Sequence, residues 1–160
     1  MPKAQLDAFD LRILDELQKD GRLTNAELAE RIGLSPTPCL RRVKALEKEG
    51  VIRGYRADLE PAKVGLGLKV MVGVSIAVHR EEQTEAIQQA FRDLPEVISC
   101  SLVSGETDYL LEVLVEDLQA YERFLVGKLL KFHEIKDVRS SFVLRAVKRA
   151  APLTLDQLAR

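Results

Sequence analysis

The sequence predicts an α+β protein with a helical first domain and a second domain of mixed strands and helices. Over the first third of the chain, apolar residues recur at the spacing of an amphipathic helix. From residue 68 onwards, β-branched runs such as LKVMVGVSIAVH indicate strands instead. Pro61 and two nearby glycines interrupt both patterns, which indicates a linker. The predicted segments are a first domain at 1–57, a linker at 58–67, a second domain at 68–148 and a C-terminal tail at 149–160.

The composition is typical of a folded, water-soluble protein. Of 160 residues, 46% are hydrophobic and 31% are charged. No apolar run approaches the roughly 20 residues that a membrane-spanning helix needs. The first residues lack the apolar core of a signal peptide, and two cysteines without metal-ligand spacing fit a reducing compartment. We therefore expect a cytoplasmic protein with no membrane partner.

Charge is balanced over the whole chain but concentrated in one segment. The formal net charge is −1, which argues against indiscriminate binding to nucleic acids. Residues 36–56, however, carry six basic side chains against two acidic ones. Such a basic stripe on a neutral chain favours a polyanionic partner that is bound in one orientation.

Residues 7–20 are predicted to form the first helix. Asp7 or Asp10 can cap it or complement its N-terminal dipole, and Gly21 closes it. Its apolar face is expected to share a core with two later helices. The predicted core residues are Phe9, Ile13, Leu17, Leu28, Ile32, Leu40, Val43 and Leu46.

Two further helices are predicted to be joined by a tight turn. Thr24 and Glu27 form a capping box at the start of the second helix, and Gly33 ends it because glycine tolerates positive φ. Ser35 as N-cap and Pro36 at the first helical position start the third helix. Two helices joined by a glycine turn, with cations on the second, are typical of a helix-turn-helix. The second helix of that motif enters the major groove of double-stranded DNA.

A β-prone segment at residues 51–59, VIRGYRADL, follows the third helix. It predicts a short strand or wing, and therefore a winged helix-turn-helix. The alternative is a plain three-helix bundle with solvated charges. We favour the DNA-binding interpretation because a capped helix start, Ser-Pro-Thr-Pro-Cys, falls where base-reading residues would lie.

The start and the outer face of the third helix supply the candidate DNA contacts. Thr37 and Pro38 lie at its start, within reach of base edges or thymine methyl groups. The cations further along supply phosphate contacts or bidentate contacts to guanine, of which phosphate contacts are the commoner. Cations of the predicted wing are expected to meet phosphates. The candidate basic residues are Arg41, Arg42, Lys44, Lys48, Arg53 and Arg56.

The second domain is predicted to alternate in the order β-α-β-β-α-β. This order gives a four-stranded antiparallel sheet with both helices on one face, the ferredoxin-like arrangement. The other face of the sheet then exposes apolar residues, which favours homo-oligomerisation through this domain. The predicted strands are 68–79, 97–105, 109–116 and 138–148, and the predicted helices are 81–95 and 118–132.

Three stretches of the chain resemble the Lrp/AsnC (feast/famine) family of transcriptional regulators, and its leucine-responsive branch in particular. They are ELQKDGR at 16–22, GLSPTPCLRRVKALEKEGVIRGY at 33–55 and LVSGETDYLLEV at 102–113. The resemblance implies a sequence-specific, nucleoid-associated regulator of amino-acid metabolism genes. It also implies a second domain of the RAM type that binds a free amino acid and assembles dimers, expected to form octamers. No metal or other cofactor is implied.

The resemblance also implies an effector site around the loop between the second and third strands. Gly105, Glu106 and Thr107 are expected to line it, together with Asp108, whose carboxylate would contact the ammonium group of the amino acid. Further pocket positions by motif match are Leu102, Tyr109, Leu130 and Ser141. Residues 132–135, Phe-His-Glu-Ile, replace the Leu-Pro-Gly-Val turn that is common in the family. Leucine specificity is therefore not transferred to this chain.

Two alternatives are weighed against an effector-controlled regulator. The first is an architectural, chromosome-organising DNA binder with little effector response, which would protect DNA repeatedly over long stretches. The second is an enzyme. His79 and His133 belong to no evident triad or metal-ligand spacing, and Cys39 and Cys100 are expected to pack rather than to react. We expect no enzymatic activity.

Overall fold

The computed structural model describes residues 5–77, 81–149 and 151–155, with only the backbone described at 81–83. The chain divides into two compact units. The first comprises the residues up to Asp58 and those from Lys148 onwards, and the second is Leu59–Val147. Most of the predicted linker therefore groups with the second unit, and the C-terminal tail groups with the first. A short helix predicted at 155–159 lies, apart from its first residue, outside the described residues, as does His79.

Three helices form the first unit, α1 (Ala8–Lys19), α2 (Asn25–Ile32) and α3 (Pro36–Lys48). Asp7 caps α1 by accepting from two backbone N–H groups. The predicted capping box of α2 is present in both directions, between Thr24 and Glu27. These short-range bonds begin each helix where the sequence predicts it.

The core of the first unit contains most, but not all, of the predicted residues. Leu40 was expected to point inward, yet 42% of its surface is exposed. Leu40 borders the outward face of α3. The residue before it, Cys39, is buried and takes the inward position instead. The buried core residues are Ile13, Leu14, Leu28, Ala29, Ile32, Cys39 and Leu46.

The strand predicted at 51–59 is not formed in this structure. Residues 53–60 have no regular secondary structure, and 51–52 form a bend. A strand needs a neighbouring strand for its hydrogen bonds, and the described part of the first unit contains none. The segment instead stays close to α3 through the Tyr55 hydroxyl, which donates to a Glu47 carboxylate oxygen over 3.1 Å.

The second unit confirms the predicted ferredoxin-like topology. Its strands lie in the order β2-β3-β1-β4, and each neighbouring pair is antiparallel. The elements are β1 (Leu68–Ile76), α4 (Glu81–Asp93), β2 (Val97–Leu102), β3 (Tyr109–Val115), α5 (Leu118–Gly127) and β4 (Ile135–Phe142), with 3-10 helices at Pro61–Val64 and Leu129–Lys131.

Both helices pack on the same face of the sheet. Gln88 of α4 donates to the Tyr109 hydroxyl, and Tyr121 of α5 forms a hydrogen bond with Ser140 of β4. Phe91 contacts Tyr109 edge to face at 5.4 Å between ring centroids. The result is one buried cluster that draws side chains from both helices and from the central strands.

Two predicted boundaries in the second unit are wrong. The last strand was placed at 138–148 but runs from Ile135 to Phe142, because β1, its antiparallel partner, begins at Leu68 and offers few further positions. The last helix was predicted as continuous over 118–132, but it ends at Gly127 and a 3-10 turn follows. Leu118, at the first position of that helix, is 62% exposed.

The sheet face opposite the helices is open in the single chain. It mixes apolar side chains with charged ones, including an ion pair between Lys69 and Glu112. It is thus less apolar than predicted. The residues of β1, β3 and β4 on this face include Met71, Gly73, Ser75, Leu110, Glu112, Leu114, Arg139 and Ser141.

Candidate DNA interface and effector site

The turn between α2 and α3 is held by specific local bonds. Gly33 has φ of 74°, a conformation that most residues avoid, and it carries the chain out of α2. The Asn25 side-chain amide donates to the Pro36 carbonyl over 2.8 Å and so joins the start of α2 to the start of α3. Ser35 is the N-cap of α3 as predicted, although its side chain makes no capping hydrogen bond. These contacts therefore fix the orientation of α3 relative to α2.

One face of α3 carries an unbroken polar and basic stripe. Thr37, Arg41, Lys44 and Lys48 follow one another at intervals of three or four residues, which places them on one side of the helix. All four are exposed, and Leu46 on the opposite side is buried. Within the described parts of the chain, the three cations form no ion pair. We call these four residues the α3 stripe.

The remaining predicted DNA contacts flank this stripe. Pro38 is half-buried beside Thr37, at the beginning of α3. Arg53 and Arg56 are exposed in the irregular segment that Tyr55 holds near α3. The structure thus brings cations of α3 and of the following segment into one part of the first unit.

Arg42 differs from the predicted arrangement, because it is not left for solvent or a ligand. Its guanidinium Nη1 donates to Asp7 over 2.7 Å and to Asp10 over 2.8 Å. It also lies over the Phe9 ring, 5.5 Å from the centroid. Arg42 therefore ties α3 to the N-terminus of α1. The hydrogen bond from the Asp10 backbone, with smaller contributions from Arg42, lowers the pKa of Asp7 below its ordinary value.

The loop from Gly105 to Asp108 lies across the end of the open sheet face. Asp108 Oδ2 accepts from the Ile76 backbone N–H over 2.8 Å, and the Asp108 N–H donates to the Val74 carbonyl over 3.0 Å. The Ser75 hydroxyl donates to the Glu106 carbonyl over 3.4 Å. The loop is therefore fastened to the end of β1.

Two residues of this site were missed by the sequence interpretation. A Cβ atom at position 73 would lie only 2.8 Å from Thr107 Cγ2, so Gly73 is what allows the loop to approach the sheet. Arg139 of β4 lies opposite Gly73 and pairs with the Glu106 carboxylate. The glycine inside a β-branched run was an available signal. Arg139 had none in the sequence.

The other predicted effector residues do not all join the loop. Tyr109 is 1% exposed, and its ring faces the helices with its hydroxyl accepting from Gln88, so it lies on the other side of the sheet from Gly73. Leu102 lies directly opposite Tyr109 and shares its side of the sheet. Leu130 belongs to the 3-10 helix after α5 and is exposed. Ser141 lies on the open face, two residues from Arg139.

The described residues contain no group of three or more His, Cys, Asp and Glu side chains placed to hold a metal ion. Cys39 is buried, whereas Cys100, expected to pack, is exposed in the single chain. Desolvation raises the pKa of both thiols, which lowers their reactivity at neutral pH. None of the described helices combines the length and the hydrophobicity that a bilayer crossing requires.

Comparisons with known proteins give the same division of the chain. A family description of the winged helix-turn-helix DNA-binding domain matches residues 6–53, and one of the Lrp/AsnC ligand binding domain matches residues 69–153. The leucine-responsive regulatory protein of Haemophilus influenzae is 43% identical over 150 residues, which cover 94% of this chain and 90% of that protein. Its counterpart in Escherichia coli K12 is 42% identical over 154 residues, covering 96% and 94%.

Solved structures are similar over nearly the whole chain. A transcriptional regulator of Neisseria meningitidis in complex with L-methionine superposes with a TM-score of 0.91 at 45% identity, over 96% of this chain and 99% of that one. An AsnC family regulator of Agrobacterium tumefaciens superposes with a TM-score of 0.89 at 39% identity, over the same shares. Domain by domain and along its full length, this chain belongs to the Lrp/AsnC family of DNA-binding transcriptional regulators.

Proposed function

We propose that this regulator reads DNA with the α3 stripe in the major groove. Thr37 and Pro38, at the start of α3, would reach base edges, while Arg41, Lys44 and Lys48 would contact phosphates or guanine. Arg53 and Arg56 in the following segment would contact the backbone. The support is the exposure of the stripe on a helix whose angle is fixed by the Asn25 and Gly33 contacts. Two such domains in a dimer would read two half-sites.

The effector is a free amino acid bound at the Gly105–Asp108 loop. A zwitterion needs an anionic partner for its ammonium group and a cationic partner for its carboxylate. Asp108 would bind the ammonium group with its carboxylate, of which one oxygen accepts a hydrogen bond from the Ile76 N–H. Arg139, at the same end of the sheet, would bind the carboxylate with its guanidinium. The close seating of this loop on the sheet is the observation that carries the proposal. The methionine complex of the Neisseria relative supports it.

The side chain of the effector is expected to be apolar. Gly73 pairs with Leu110, and Met71 lies two residues along β1 on the same open face, so apolar surface adjoins the loop. Leu102 and Leu130 are both exposed, and from a neighbouring subunit they would close this apolar surface into a pocket.

Assembly of several subunits completes the proposed mechanism. The open sheet face would pair subunits into dimers, and dimers would build larger rings, with an octamer as the expected form. An amino acid that binds one assembly better than another shifts the equilibrium between them. That shift changes which half-sites the DNA-binding domains reach together, and hence the transcription of amino-acid metabolism genes. The protein acts on no substrate.

A thermal-shift screen against the twenty amino acids tests the effector proposal. We expect one or a few apolar amino acids to raise the melting temperature, and Asp108→Asn to abolish that rise. Glu116→Gln, which alters an exposed carboxylate of the same domain, is the matched control and should respond normally. An unchanged response of Asp108→Asn would contradict the proposed role of this residue.

A footprint on promoter DNA separates the proposed regulator from an architectural DNA binder. Protection of a few half-sites that changes with the amino acid supports effector control. Helically phased protection over long DNA, unchanged by any amino acid, would support the architectural function instead.

A further inference from the structure

The C-terminal segment gives the first unit a second connection to the rest of the chain. The chain leaves the first unit after Asp58, forms the second unit, and rejoins the first unit at Lys148. Residues 143–147 between β4 and that point have no regular secondary structure. The DNA-binding domain is therefore bounded by the second unit at both of these points, and not by one linker alone.

The Gln18 side chain binds the returning segment through the backbone of Leu153. The Leu153 N–H donates to Gln18 Oε1 over 2.7 Å, and Gln18 Nε2 donates to the Leu153 carbonyl over 3.3 Å. One side-chain amide thus exchanges two hydrogen bonds with one residue, as paired residues do in an antiparallel sheet. The Leu153 side chain itself is 74% exposed and takes no part in this exchange.

Leu155, two residues further along, provides the apolar part of the contact. It is half-buried and packs against the core of the three helices. The proline at 152 restricts the backbone just before this contact, which reduces the entropy lost when the segment is ordered.

We propose that residues 151–155 form a C-terminal strap that docks on Gln18 of α1 and holds the DNA-binding domain at a second point. The tether gives the strap a high effective concentration, so a small contact is sufficient to keep it bound. The same helix, α1, is joined to the recognition helix by the bonds of Arg42 to Asp7 and Asp10. A change in the second domain that pulls on the strap is thereby passed through α1 to α3.

Hydrogen exchange of the Leu153 amide tests the docking in the full-length protein. We expect Gln18→Ala and Leu155→Ser each to speed this exchange by about ten-fold or more, because each removes half of the contact. Leu153→Ser keeps the backbone groups and should leave the protection of that amide nearly intact. Gln119→Ala, an exposed glutamine of α5, is the control for the substitution of Gln18. Fast exchange already in the unaltered protein would overturn the strap.

Binding to DNA with one or two half-sites tests what the strap does, and this part rests on the proposed function. Release of the strap should weaken binding to paired half-sites by about ten-fold, because the two domains lose their fixed orientation. Binding to a single half-site should stay unchanged. If Gln18→Ala and the unaltered protein bound paired half-sites with equal affinity, the proposed effect of the strap on DNA binding would be wrong. If Gln18→Ala lost affinity equally for paired and single half-sites, the strap would only stabilise the domain. If the unaltered protein bound neither DNA, the proposed function would be wrong. The hydrogen exchange of the Leu153 amide would still show whether the strap docks.

Discussion

The α3 stripe and the Gly105–Asp108 loop differ in how their charged groups are occupied. On α3, the stripe cations are exposed and form no ion pair with the described residues. At the loop, each carboxylate already has a partner, since Asp108 accepts from Ile76 and Glu106 pairs with Arg139. One surface is open to a ligand, and the other is closed by bonds within the chain.

This difference fits the two tasks that we propose. A polyanion can bind the stripe by displacing counterions, so no bond within the protein has to break. An amino acid at the loop would compete with Glu106 and Asp137 for Arg139. A site that exchanges one set of bonds for another has two distinct states, and coupling between a ligand and DNA requires such states.

Gly73→Ala should produce the largest effect, because it breaks the closed state of the loop. The added Cβ would clash with Thr107 Cγ2, and we expect a loss of about 1–3 kcal/mol in the stability of the second unit. The amino-acid response should disappear, while the melting of the first unit should not change. Calorimetry with and without the amino acid measures both. Gly127→Ala has no atom within 4 Å of its new Cβ and is the control.

A second substitution shows whether the clash itself is responsible. Thr107→Ser removes the Cγ2 atom and leaves the hydroxyl, so the combination Gly73→Ala with Thr107→Ser should recover most of the lost stability. Losses that simply add in the double variant would show that Gly73 matters for another reason.

Arg41 and Arg42 are neighbours on α3, but Arg41 is unpaired within the described residues and Arg42 is ion-paired. Arg42→Gln breaks two charged hydrogen bonds at a partly exposed site, and we expect a loss of about 1–2 kcal/mol in the stability of the first unit. Arg41→Gln should leave stability unchanged and reduce the slope of log affinity against log salt by about one. Chemical unfolding and a salt titration of DNA binding measure the two effects. The same salt slope for both variants would contradict this division of roles.

The sequence predicts best those features that depend on neighbouring residues. The capping box of Thr24 with Glu27 and the turn at Gly33 appear as expected, because a few residues determine each of them. The bonds of Arg42 to Asp7 and Asp10 were not predicted, because these partners lie more than 30 residues away and no local pattern reveals them. The same limit explains Arg139, whose partner Glu106 belongs to a distant loop.

Strand boundaries were missed for a related reason. The apolar residues after Phe142 have the composition of a strand, but a strand extends only as far as its neighbour does. β4 ends near the start of β1, and it begins at Ile135 because β1 continues to Ile76. Such limits are set by the assembled sheet and not by the propensity of the segment. The family resemblance points to the Gly105–Asp108 loop, whereas the approach of this loop to Gly73 and Arg139 depends on the assembled sheet.

The two helix starts in the helix-turn-helix should respond differently to loss of a hydroxyl. Thr24→Ala removes the hydroxyl that accepts from the Glu27 N–H and donates to Glu27 Oε2, and it should lower the stability of the first unit by about 1 kcal/mol. Ser35 makes no side-chain capping bond, so Ser35→Ala should cost at most a few tenths of a kcal/mol. Thermal unfolding of the two variants compares them directly. A larger loss for Ser35→Ala would mean that its hydroxyl caps α3 in solution.

The smallest effect is expected from the pH dependence of the first unit. The folded pKa of Asp7 lies below its ordinary value of 3.8, chiefly because of the hydrogen bond from the Asp10 backbone and also because of Arg42. A carboxyl whose pKa is lowered by folding stabilises above its unfolded pKa and loses that contribution as pH falls through the folded value. Since Asp7 is half exposed, the contribution should stay below about 1 kcal/mol. Asp7→Asn keeps an N-cap side chain but cannot ionise, so its melting temperature should fall less than that of the unaltered protein between pH ~5 and ~3. Parallel curves for the two proteins would show that the ionisation of Asp7 contributes nothing to the stability of the first unit.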